Sequence, residues 1–231
     1  MNEETYIPDA KYRLPALFSF LALMIGTAIT GCLLKCGFHN NALLRLTISL
    51  LPIQFFGLGA MLISLRPSCR DYGFKATFNI PDKMPSLREC VLHVVITLAI
   101  LYPAIALVTP PATWFCKKLG LPIIEQNFAI LPPDASQLHI MLLVFSCTFL
   151  APLTEELLMR LILYRTLRSY WQAGAPYLTA VIFAIFHGCP QYTPGLFLVG
   201  LALHLAQKKG GLPLSIILHA VFNAISLAML N

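Results

Sequence analysis

Charge is what this chain has least of. Only 11% of its 231 residues are Asp, Glu, Lys or Arg, against about 25% in ordinary soluble domains. With 58% of residues hydrophobic and a mean hydropathy of +0.75, too little polar surface is left to cover a water-soluble globule, so a lipid bilayer is the solvent that fits. Cysteine gives no framework either. The seven (Cys32, Cys36, Cys69, Cys90, Cys116, Cys147, Cys189) are odd in number and scattered, without a CxxC pair, which excludes a secreted disulfide scaffold. Most lie in or beside apolar runs, where a free thiol behaves as a small hydrophobe. Internal repeats and low-complexity stretches are absent. The formal net charge of +6 sits in short loops between apolar runs, which is topology signalling and points away from nucleic acid.

What is present is a series of long apolar runs. A membrane-spanning helix needs about 20 mostly apolar residues, and seven candidates follow: 14–34, 43–65, 90–109, 138–164, 175–193, 194–207 and 212–230. The expected fold is an all-α polytopic membrane bundle, with residues 1–137 as N-terminal helices and loops and 138–231 as the core. Pro103, Pro152 and Pro213 fall inside or at the start of spans, where neighbours can satisfy the freed carbonyls. The leader before the first span mixes Glu3, Glu4, Asp9, Lys11 and Arg13, so that span reads as retained. The segment 110–137, with two Pro-Pro pairs, reads as a loop. Three connections are basic: 66–89 (Arg66, Arg70, Lys75, Lys83, Arg88), the turn with Arg165 and Arg168, and that with Lys208 and Lys209. With seven spans they share one side, which the charge rule makes cytoplasmic, in the cell membrane.

Ionisable groups inside spans are costly and mark function by default, and here they gather near the C-terminus. Glu156 and Arg160 are i,i+4 with the acid first, the favourable order for a pair. Glu155 points about 100° away and has no such partner, leaving a desolvated carboxyl of the kind used as a general base. His219 and Asn223, again i,i+4, present two hydrogen-bond donors from one face, suited to an oxyanion. His187, at the end of Phe183-Ala-Ile-Phe-His187, is placed to orient a water with Glu155. Counted from the basic side, Glu155, His187 and His219 lie at a common depth of about 12–18 Å. His93, His139 and His204 read instead as interhelical or interfacial hydrogen-bonding groups.

Glu155-Glu156-x-x-x-Arg160, Phe183-x-x-x-His187 and His219-x-x-x-Asn223, in this order and in separate spans, resemble the three-motif signature of the CPBP family: type II CAAX prenyl endopeptidases and bacteriocin-processing or self-immunity (Abi) membrane proteins. The resemblance covers roughly 138–231. It implies a helical bundle with its catalytic groups in a membrane cavity. Glu155 and His187 would activate the water, His219 and Asn223 would form the oxyanion hole, and Arg160 would hold Glu156. The substrate would be a membrane-associated or lipid-modified protein or peptide, with no cofactor. HExxH, GxSG and GxGD, the marks of other intramembrane proteases, are missing. Zinc on Glu155, His187 and His219 is the mechanistic alternative, since two His and a Glu form a known catalytic set. A non-catalytic immunity factor or scaffold is the functional one. A proton-coupled transporter ranks last, since it predicts inverted repeats.

Overall fold

The computed structural model describes residues 42–123 and 136–230 and five helical positions between 18 and 29. Apart from those five positions, the predicted first span, 14–34, lies outside the described residues, as does most of the loop after residue 123. Among those described, every regular element is helical.

Helix α1, Ala42–Tyr72, carries the second predicted span onward through Arg66 and Arg70, so the first part of that basic connection is helix, not loop. A short α2, Phe74–Thr77, follows. Helix α3, Leu87–Lys118, starts on a capping box in which Ser86 and Glu89 satisfy each other's backbone N–H groups. Its end corrects the sequence reading. Pro110 and Pro111 lie inside the helix, as membrane helices allow where neighbouring groups and local adjustments re-satisfy the freed carbonyls. Termination waits for Gly120 (φ 68°), where the Leu121 N–H donates to the Cys116 carbonyl at 2.9 Å and that of Gly120 to Lys117, a Schellman-type close.

Residues 137–170 form one rod of alternating winding: α4 (Gln137–Phe145), a π-wound stretch (Ser146–Leu150), α5 (Ala151–Glu156), a second π-wound stretch (Leu157–Leu163) and α6 (Tyr164–Tyr170). Such π turns cluster at functional sites. Helix α7, Ala175–Phe186, is shorter than the predicted span 175–193. It stops at His187, and Gly188 (φ 65°) turns the chain away.

Helix α8, Thr193–Leu230, is broken at Gly210 and Gly211. Ser215 Oγ lies 3.0 Å from the Leu203 carbonyl, twelve residues earlier. A continuous helix would separate them by about 18 Å, so the chain doubles back, as the predicted pair 194–207 and 212–230 requires. Gly211 (φ 68°) makes the turn, and a Cβ there would lie 2.2 Å from the Asn79 carbonyl oxygen.

Three helical stretches are long and apolar enough to cross a membrane among the described residues: Leu87–Lys118, Ile140–Tyr170 and Pro190–Met229. The basic connections meet at one face. Arg165 donates to the Thr77 and Ala76 carbonyls at 2.9 and 3.1 Å, and the Leu212 N–H to Asn79 at 3.1 Å. The core, from Met61 and Leu65 through Leu157–Ile162 to Leu214 and Leu218, packs the 137–170 rod against α1, α7 and both arms of α8.

Candidate active site

The site is built where the rod meets the second arm of α8. Glu156 and Arg160 are both fully buried, with Arg160 Nε 3.0 Å from Glu156 Oε2. Arg160 also donates from Nη2 to the Gly200 carbonyl at 3.2 Å. From the other side the Ser215 hydroxyl donates to Glu156 Oε2, and His219 Nδ1 lies 3.2 Å from Oε1. A carboxylate only accepts, so the proton on that bond belongs to His219 Nδ1. Glu156 is therefore the knot of the site: three side chains from two helical segments converge on it.

The adjacent carboxylate is left differently. Glu155 is about a third exposed, at 33%, and its Oε2 stands 3.7 Å from His219 Nε2, just beyond hydrogen-bond reach. That buried oxygen has no hydrogen-bond partner. The two neighbouring acids of one sequence motif thus differ in kind, one saturated and one bare. The reason is the helical step of about 100° per residue, which turns Glu156 into the packed seam with Arg160 and Glu155 toward the open side.

His187 ends α7. Its Nδ1 lies 2.8 Å from the Phe183 carbonyl, an acceptor, which leaves Nε2 as the free nitrogen of the neutral ring. Phe183, almost fully buried, stands between the two imidazoles, with ring centroids 4.7 Å from His187 and 5.8 Å from His219. Asn223 lies one turn beyond His219 and donates from Nδ2 to the Cys147 carbonyl at 2.9 Å. Tyr102 of α3 braces the same stretch, donating to the Phe222 carbonyl at 3.0 Å.

Residues 137–225 match the family model described as type II CAAX prenyl endopeptidase Rce1-like. This core is similar to the CAAX proteases. The match begins on the first residue of α4 and ends just past Asn223, so it takes in every group of the site. Neither the curated proteins nor the solved structures gave a match to the chain. That likeness points to a protease, and the long apolar helices point to a membrane setting.

Within the Rce1-like core the structure brings Glu155, Glu156, Arg160 and His219 together. Phe183 and His187 join them through ring contacts, and Asn223 flanks the group. Among the described residues no group of three His, Cys, Asp or Glu side chains is arranged to hold a metal ion. His204 is buried against the Tyr164 ring at 4.7 Å, and the His139 side chain lies outside the described residues. Ser215 was missed by the sequence reading. The signal was there: Ser215, His219 and Asn223 repeat at spacing four, which puts all three on one helical face. The roles of the Gly200 and Cys147 carbonyls left no such trace.

Proposed function

We propose that this protein is an intramembrane endopeptidase that cleaves a peptide bond of a membrane-associated or lipid-modified, CAAX-like protein or peptide, using a water activated by Glu155. The observation that carries this reading is the contrast between neighbouring acids. Glu156 is saturated by Arg160, Ser215 and His219, while Glu155 keeps an unpaired oxygen beside His219.

The chemistry follows from those placements. Glu155 takes a proton from water, and the water oxygen adds to the scissile carbonyl carbon. His187, with Nδ1–H committed to Phe183, offers Nε2 to orient that water. The developing oxyanion accepts hydrogen bonds from an Asn223 N–H and, in the protonated ring, from His219 Nε2–H, the kind of preorganised donation that stabilises tetrahedral intermediates. Glu155 then passes its proton to the leaving amine as the C–N bond breaks. Acid, amine and a regenerated Glu155 carboxylate result, with no acyl-enzyme and no metal.

The test is cleavage of a panel of lipid-modified fluorogenic peptides by detergent-purified protein. Glu155→Gln is expected to lower turnover at least about 100-fold, the usual scale of acid–base catalysis, and a strong chelator is expected to change nothing. Activity retained in Glu155→Gln would overturn the assignment. Activity lost to the chelator and restored by zinc would replace it with the zinc reading. A seven-span topology, with the three basic connections on the cytoplasmic face of the cell membrane, completes the proposal. It is supported by their meeting at one face and is checked by impermeant labelling of a single cysteine placed at position 208.

A further inference from the structure

One carbonyl in the rod has no helical partner. The α-helical partner of the Cys147 carbonyl would be the Ala151 N–H, but in the π-wound stretch that N–H donates to Ser146 instead. The π-helical partner would be residue 152, and residue 152 is proline, which has no N–H. Neighbouring hydroxyls are engaged elsewhere: Thr148 donates to Val144 and Thr154 to Leu150. In an apolar helix an unpaired carbonyl is costly. The donor that reaches it is Asn223 Nδ2, 76 residues later in sequence.

We infer that Pro152 is a positioning residue for Asn223: by withholding an N–H it reserves the Cys147 carbonyl as the docking point of the Asn223 amide. The consequence for the site, which rests on the proposed role of Asn223, is directional. An Asn amide carries two N–H bonds in one plane. Fixing one on Cys147 fixes that plane and therefore the line of the second, which faces the oxyanion. Pro152 also lies three residues before Glu155 on the same rod. One residue thereby sets the register between the helix that carries the base and the helix that carries the donor. An alanine at 152 would supply the missing N–H, close the helix on itself and release Asn223.

The test is a double-mutant cycle on the full chain in detergent, read by thermal unfolding and by cleavage kinetics. In the wild-type background, Asn223→Leu is expected to lower the unfolding midpoint by roughly 2–10 °C, as an orphaned buried acceptor does in a chain of this size. In the Pro152→Ala background the same substitution is expected to cost less than a third of that, because the new N–H now satisfies Cys147. Pro152→Ala alone is expected to reduce kcat about tenfold or more with KM unchanged. Losses that simply add would overturn the inference. The stability arm is independent of catalysis, so it stands or falls separately from the protease reading. Should Pro152→Ala not fold, the side-chain amide spectrum of the wild type decides. One Asn223 proton slowed in solvent exchange relative to its partner is the expected result, and two equally fast protons overturn the inference.

Discussion

Arg160 shows at the scale of one residue why a charge can sit in the middle of this protein. It is fully buried, yet its Nε meets Glu156 and its Nη2 meets the Gly200 carbonyl. Removing one member of such a buried pair leaves an uncompensated charge and typically costs about 3–5 kcal/mol. Arg160→Met is therefore expected to lower stability on that scale, read from the denaturation midpoint in detergent. The double variant Glu156→Leu with Arg160→Met should recover much of the loss. Cleavage should not return with it, because Glu156 also seats His219 and Ser215. The pair itself was plain in the sequence, since i,i+4 neighbours on a helix touch whatever else the fold does. What His219 does with its two nitrogens was not. Its contact with Glu156 joins positions 63 residues apart, and only tertiary packing brings them together.

Elements end where backbone geometry demands it, and this is where the sequence reading and the structure part. The double proline at 110 and 111 suggested a stop, but α3 runs through it to Gly120. The two π-wound stretches had no periodic signature, because Glu155, Glu156 and Arg160 still fall on plausible α-helical faces. The break at Gly210 and Gly211 was legible as a gap between two spans. Its necessity can be measured. Gly211→Ala must hold a left-handed φ and place a methyl 2.2 Å from the Asn79 oxygen, so a loss of about 1–3 kcal/mol is expected, with a matching fall in the thermal midpoint. Gly59→Ala serves as the control. That glycine sits within α1 with nothing within 4 Å of its Cβ position, and alanine there should be neutral or stabilising by up to about 1 kcal/mol.

At the scale of the molecule, the family match confines itself to 137–225, yet the preceding helices take part in holding the core. Tyr102 reaches from α3 to the Phe222 carbonyl and the Ser226 hydroxyl, and its ring stacks on Phe222 at 5.4 Å. Tyr102→Phe keeps the stack and removes the hydroxyl. The expected outcome is a stability loss of about 0.5–1.5 kcal/mol, measured by thermal unfolding, with the candidate site residues untouched.

Helix α7 has a further consequence, for the membrane itself. Its twelve residues reach about 18 Å, whereas the hydrocarbon core of a typical bilayer is about 30 Å thick. Local thinning of the lipid is one way a bilayer meets so short a helix, and that elastic deformation is cheaper in short-chain bilayers. Reconstituted turnover should therefore be higher in vesicles of roughly 14-carbon lipids than in those of roughly 22-carbon lipids. The proposed activity would then be tuned by the thickness of the membrane that holds the protein.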